Sequence, residues 1–356
     1  MTSSVDVLVP VHSAQRPIAR LAASVLGTSV PIRLVVVAHD VDASDIRTAL
    51  GEHAEDPRVQ VLAFQDGVRS PAGPLRFALE RLESPFFMKI DSDDFLADGA
   101  IESWMRTQRR YDADIVLPSM RMVGTRRDFP TPPRRPFRTR LDPVRDRLAY
   151  RTSTMGLIRA ELARDAYPEP GLRTAEDLAP GLRLWFSDAR IVAADPRYAY
   201  MVAPDAGDRV TLEQRPLADD LAFVEPLVRE PFWARLDQDA RVGIVAKLLR
   251  VQVIGALAGR ADRHLTASEV AFAGTAARAL VALAPRVGRV LSRDEATLFR
   301  EVLTGARDES RITRLASRAS RHLSVGGLVT PGILDSVRRD APVRYLGASV
   351  LARYRR

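Results

Sequence analysis

Cysteine is absent from all 356 residues, which excludes a disulfide framework, a thiolate metal site and a cysteine nucleophile. Any group handled here must be held by oxygen and nitrogen. Lysine is nearly absent as well: of 53 basic residues only Lys89 and Lys247 are lysines, and arginine supplies the rest of a formal net charge of +8. That excess attracts anionic partners without choosing among nucleotide phosphates, phosphate-linked polymers, nucleic acid or anionic membrane. A nucleic-acid-binding module is missing, so nucleic acid is not an expected partner. No stretch reaches the ~20 apolar residues that span a bilayer, and Met1 to Asp6 lack the basic and apolar regions of a secretion signal. The expectation is a cytoplasmic protein with at most peripheral association at the inner face of the membrane.

With 46% hydrophobic and 28% charged residues, the chain can bury one large or two medium cores. Its first half alternates apolar runs with helical patterns, the mark of an α/β unit with a mostly parallel sheet. The expected strands are Val5 to Val11, Arg33 to Ala38, Val59 to Phe64 and Phe86 to Ile90, with helices over Arg16 to Leu26, Asp45 to His53 and Leu75 to Glu83. A Pro- and Arg-rich loop follows from Thr125 to Asp142. A mixed region runs to about Val210, with a helix near Ala160, a helical segment within Thr174 to Phe186 and strands at Arg190 to Ala193 and Tyr198 to Val202. Beyond Thr211 the pattern is helical: Val242, Val245, Leu249, Val253 and Leu257 recur three or four apart. Helices are also expected at Ala267 to Leu283, Asp294 to Thr304 and Ser310 to Leu323, while Val343 to Leu351 fits a strand or a helix. The boundary expected from this pattern separates residues 1–213 from a smaller helical domain over 214–356.

The strongest chemical signal is the apolar strand that runs into Asp91-Ser92-Asp93-Asp94. Ligands of open α/β sheets sit beyond the carboxyl ends of strands, and carboxylates this close tolerate one another when a hard divalent cation neutralises them. The competing account is structural, with Asp93 or Asp94 capping a helix that starts near Asp98. The first strand ends with Pro10 and His12, the second near His39 and Asp40, and Thr174-Ala175-Glu176-Asp177-Leu178 lies far downstream. Together these segments, over roughly residues 5 to 213, resemble the family 2 glycosyltransferases of the GT-A fold, and in particular their bacterial wall teichoic acid and cell-surface polysaccharide branch.

The resemblance implies a nucleotide-sugar donor, a UDP-sugar, with Mn²⁺ or Mg²⁺ as cofactor and inverting transfer to a hydroxyl of an acceptor such as an anionic cell-surface polymer. Carried over residue by residue, it places Pro10, His12, Asp40, Asp91 and Ser92 on the donor nucleotide. Asp91 and Asp93 would ligate the metal, and Asp177 would be the general base beside Glu176. The family's usual Asp-Asp-Gly-Ser after the second strand is Ala38-His39-Asp40-Val41-Asp42 here, and its Arg-Asn before the third helix is Gly73-Pro74, which makes Arg76 the candidate for a diphosphate contact. Asp208, within Gly207-Asp208-Arg209-Val210-Thr211, is a further metal candidate, although a turn on Gly207 accounts for the segment equally well. Weaker acceptor candidates are Arg209, Trp185 and, in the arginine-rich loop, Arg135; burial in the core is the stronger account of Trp185, and a solvated basic loop the stronger account of Arg135. His12, His39 and His53 are too scattered to form a metal set. The helical domain would bind polymer, form a homo-oligomer, or simply pack on the catalytic half. Two other classes remain on these residues: a metal-dependent nucleotidyltransferase, disfavoured because the loop after the first strand, HSAQRP, has no glycine, and a non-catalytic module that binds anionic polymer.

Overall fold

The structure, a computed structural model, describes residues 4–124, 135, 138–204, 215–260, 265–305 and 308–353. These fall into two compact units, one within Met1–Thr131, Thr139–Leu141 and Arg151–Glu213, the other within Pro132–Arg138, Asp142–Tyr150 and Gln214–Arg356.

In the first unit a seven-stranded sheet has the order β3-β2-β1-β4-β8-β6-β9, from Val59–Phe64, Ile32–His39, Val5–Val11, Phe86–Lys89, Leu157–Arg159, Ile115–Leu117 and Ile191–Ala193. Strands β3, β2, β1 and β4 are mutually parallel, and β8 runs antiparallel to both neighbours. The near-continuous apolar runs are those of strands covered on both faces. In β1 and β2, Val5, Val7, Val9, Leu34 and Val36 join one core cluster with helices α1 (Ile18–Leu26), α2 (Ala43–Leu50) and α4 (Ala100–Tyr111). The alternate residues Leu8, Val35 and Val37 are buried on the opposite face, where α3 (Ala72–Leu79) packs on β1 and β2. A second sheet, order β5-β10-β7, joins Phe95–Leu96, Tyr200–Val202 and Met120–Met122.

One polar residue interrupts β1. Asp6 is fully buried and accepts from Arg33 Nε at 3.1 Å and Nη2 at 2.6 Å, from Ser84 Oγ at 2.6 Å and from the Glu83 amide at 2.8 Å. Burial alone would raise its carboxyl, but those donors, led by Arg33, outweigh burial and hold it below the usual range. A group depressed in the folded state stabilises above its unfolded value and loses that contribution as the pH falls. Asp6→Asn is therefore expected to cost about 3 kcal/mol at neutral pH, as when one partner leaves a buried pair. Urea denaturation across pH checks this, with the gap between the two proteins closing below roughly pH 4, the unfolded value of an aspartate.

The second unit is helical. Gln238–Lys247 continues through a π-helical stretch, Leu248–Val253, into Ile254–Ala258. A strict four-residue repeat, Val245, Leu249, Val253, Leu257, would drift around a helix of 3.6 residues per turn, and the wider π turns keep all four buried. Helices Ala267–Leu283 and Arg293–Thr304 each start in a reciprocal capping box, Thr266 with Glu269 and Ser292 with Glu295. The ambiguous segment near residue 343 is a helix, Pro342–Arg353, and the helix expected near Ala160 is a single 3₁₀ turn, Ala160–Leu162.

Candidate active site

Because β2, β1 and β4 are parallel neighbours, their carboxyl ends open on one sheet edge. His12, Asp40 and Asp91 follow those ends, and all three line a cavity of about 570 Å³. That volume is in the range of small-molecule sites. The same cavity is lined by Ser92, Asp93, Asp94, Glu176 and Asp177, so carboxylates more than eighty positions apart in the chain share one cleft.

Local backbone aims them there. Asp94 N–H donates to the Asp91 carbonyl at 2.9 Å, closing a turn. The capping account of Asp93 and Asp94 fails, because α4 begins at Ala100 behind Gly99 with no side-chain cap. Asp177 stands at the N-terminus of α5 (Leu178–Trp185) and its side chain makes no cap hydrogen bond either. Two non-glycine residues adopt left-handed backbone beside the cavity, Asp40 at φ 53° and Ala175 at φ 63°. Such strain persists where surrounding structure enforces it, and it clusters at functional sites.

The acids are set in a fixed charge frame. Lys89 is buried, with Nζ 3.1 Å from Asp91 Oδ1. Burial would depress its ammonium, but the Asp91 charge first, then Asp177 and Glu176, hold it charged. Asp93 Oδ2 lies 3.1 Å from Arg16 Nη1, and its carbonyl accepts from Arg20 Nη2 at 2.7 Å. Asp94 accepts from the Tyr200 hydroxyl at 2.8 Å and the Ala203 amide at 2.9 Å, while Tyr200 Oη accepts from Asp91 N–H at 3.0 Å. Burial, then the Asp91 charge, pushes Asp94 up to about 7. Glu176 is likewise raised, by burial and then by Asp177, against the pull of Lys89. The site thus crowds carboxylate oxygens into one cleft, and hard donors of this kind suit a divalent ion.

Among the described residues, one group of three potential metal ligands has donor atoms within 4.8 Å of one another: His39, Asp40 and Asp66. His39 Nε2 lies 2.8 Å from Asp66 Oδ1, so this histidine is joined by carboxylates rather than by a second histidine.

The loop before β8 supplies a feature that sequence reasoning missed. Trp185 Nε1 donates to the Arg151 carbonyl at 2.7 Å and Arg151 Nη2 to the Met155 carbonyl at 3.0 Å, which fixes residues 151–155. Ser153 and Met155 from this loop line the cavity, and Ser153 Oγ is buried without a hydrogen-bond partner among the described residues. An orphan hydroxyl in a cavity wall is costly unless a ligand uses it.

Of the sequence candidates, Pro10, His12, Asp40, Asp91, Ser92, Asp93, Glu176 and Asp177 line the cavity. Three do not. Arg76 projects from α3, bonds Glu80 at 3.0 Å and lies over the Tyr167 ring; the arginine that reaches the cavity is Arg69, ahead of that helix. Trp185 is fully buried and spent on Arg151, so no sugar can stack on it. Arg135 is tied by backbone and guanidinium to buried Asp146, at 2.7 and 2.9 Å, within the second unit. Asp208 and Arg209 lie outside the described residues. Lys89, Arg16, Arg69 and Arg173 complete the cationic lining.

Residues 6–166 match the sequence model of the family described as glycosyl transferase family 2. A poly(ribitol-phosphate) beta-glucosyltransferase of Bacillus spizizenii is 19% identical over 252 residues, which cover 69% of this chain and 39% of that protein. The chain therefore spans well under half the length of this curated relative. Among solved structures, S. aureus TarS residues 1–349 in complex with UDP-GlcNAc superposes with a TM-score of 0.74 at 17% identity, covering 90% of this chain and 92% of the other. A longer S. aureus TarS structure gives 0.68 at 17% identity and is covered over 55% of its length. No described helix is long and apolar enough to cross a membrane. With its parallel sheet, the acids at the carboxyl edge and the helical region that follows, the chain has the GT-A fold of these structures, and its residues 6–166 match the glycosyl transferase family 2 model.

Proposed function

We propose that this protein is an inverting glycosyltransferase that moves a sugar from a UDP-sugar to a hydroxyl of an anionic, ribitol-phosphate-type wall polymer. The observation that carries the proposal is the single cleft shared by Asp91, Asp93, Glu176 and Asp177. The donor class draws support from the relative crystallised with UDP-GlcNAc, and the acceptor class from the curated relative's poly(ribitol-phosphate) substrate.

In this reading Pro10, His12 and Asp40 hold the nucleoside, and Arg69 and Arg16 face the diphosphate. Asp91 and Asp93 would hold Mn²⁺ or Mg²⁺; when bound, the ion supplies charge stabilisation at the leaving diphosphate. Two carboxylates suffice, since such ions take their remaining ligands from substrate phosphates and water. Asp177 accepts the proton of the acceptor hydroxyl as its oxygen attacks the anomeric carbon. One carbon–oxygen bond forms, the bond to the diphosphate breaks, and UDP leaves. Lys89 keeps Asp91 and the Glu176–Asp177 pair at fixed separation, and Arg173 at the mouth suits an acceptor phosphate.

Ser153 Oγ is assigned to a hydroxyl of the bound sugar. Ser153→Ala is expected to raise the donor KM roughly three- to tenfold, the size of one hydrogen bond, with an unfolding temperature unchanged or higher because a buried orphan is removed. Steady-state kinetics and calorimetry check this, and a lowered unfolding temperature with unchanged KM contradicts it.

The function itself is tested by incubating the protein with UDP-GlcNAc, UDP-glucose, GDP- and CDP-sugars, Mn²⁺ and poly(ribitol phosphate), measuring nucleotide release. Release from one UDP-sugar that depends on the polymer supports the proposal. Nucleoside monophosphate transfer, or no polymer-dependent release from any donor, contradicts it.

A further inference from the structure

Among the described residues eleven large hydrophobic side chains are exposed, and eight of them fall between Leu323 and Leu351 in the second unit. Scattered exposed aliphatics are ordinary, but a contiguous set of this size marks a contact surface. Three short elements carry it, the helix Val325–Leu328, the 3₁₀ turn Ile333–Val337 and the helix Pro342–Arg353, each packed on the last of these. On the last helix Val343, Gly347, Val350 and Leu351 are all exposed, at spacings that form one stripe. A helix of a soluble domain normally turns such a stripe inward. On the adjoining turn Ile333, Leu334 and Val337 are between 69% and 87% exposed.

The exposed charges of this stretch are basic, with Asp239 facing Arg339 at 3.5 Å from outside it. Arg321, Arg338 and Arg344 are exposed, and the stretch from Leu323 to Leu351 contains no glutamate. Of its two aspartates, Asp335 pairs with Arg289 and Arg338 and Asp340 is buried, which leaves Arg321 and Arg344 facing solvent with no carboxylate of the stretch beside them. We propose that this face docks on the surface of a bilayer containing anionic lipid, the aliphatic side chains entering the headgroup boundary and the arginines meeting lipid phosphates. A second copy of the chain is a poorer occupant, because a two-fold contact through this patch sets each arginine rim against its own copy. The inference is independent of the transfer reaction.

The test is flotation of the full chain with phosphatidylcholine vesicles, with and without roughly 30 mol% phosphatidylglycerol. The expected result is binding to the anionic vesicles that weakens with salt, lowered at least tenfold in Leu334→Asp with the unfolding temperature unchanged. Arg344→Glu, which reverses one solvent-facing charge and gives up a hydrogen bond to the Val337 carbonyl, is expected to lower it on anionic vesicles only. Equal binding to both vesicle types, or none, overturns the proposal. So does sedimentation showing concentration-dependent self-association that Leu334→Asp abolishes while vesicles capture nothing, since the face would then belong to a second copy.

Discussion

Asp177→Asn is expected to lower sugar transfer by ~10² or more while leaving the affinity for UDP within a few-fold of the original, the pattern of a lost general base. The substitution keeps size and shape at a position whose side chain makes no cap hydrogen bond, so α5 has no reason to shift. What it removes is a proton acceptor. It also removes the charge that, after burial, raises Glu176, and the glutamate then ionises more readily beside Lys89. That neighbour provides the control: Glu176→Gln is expected to have the smaller effect on turnover. Initial rates and calorimetric UDP titration on both variants decide the matter. Full activity in Asp177→Asn, or the larger loss in Glu176→Gln, removes Asp177 from the role of base.

The second large effect is expected at Asp93. Its carboxylate faces two cations in turn, Arg16 in the structure described here and, by the proposal, a divalent ion when donor binds. Asp93→Asn should therefore do two things. Stimulation of UDP binding by Mn²⁺ should fall by at least about ten- to a hundredfold, the loss that follows when even a residue supporting a metal ligand is changed. Binding without metal should persist or strengthen, because the buried Arg16 guanidinium is released toward the diphosphate. Titrations with and without Mn²⁺ separate the two. If the variant keeps the wild-type metal response, Asp93 is not a ligand.

Much of this was legible in the sequence because it rests on local pattern. The strand Val59–Phe64 and the helix Ala267–Leu283 follow from apolar spacing alone, and an apolar strand running into Asp91-Ser92-Asp93-Asp94 announces itself. The convergence of residue 177 on residue 91 could be expected only through the family resemblance, since no local signal encodes a contact across the sheet. The failures share a cause. Arg69 and Arg76 are equivalent in composition, and only the start of α3 at Ala72 decides that the loop arginine reaches the cavity. Burial of Trp185 in the core is the stronger reading of the sequence and is what the structure shows, but its indole partner, the Arg151 carbonyl, is a backbone atom with no sequence signature. Ser153 was invisible for the same reason, its value lying in what it fails to bond. The assignment of Asp142–Tyr150 to the helical unit is also beyond sequence pattern. That segment packs there through Arg147, whose Nη2 donates to the Arg339 carbonyl at 2.7 Å, and through Arg250, which lies 3.4 Å from the Tyr150 hydroxyl.

The most direct measurement is an anomalous difference map from crystals of the protein grown with UDP and Mn²⁺. The account predicts one manganese peak between the diphosphate and the carboxylates of Asp91 and Asp93, with the base resting against Pro10, His12 and Asp40. A peak at His39, Asp40 and Asp66 instead, or nucleotide bound elsewhere than in the cleft that Glu176 and Asp177 share, would contradict it.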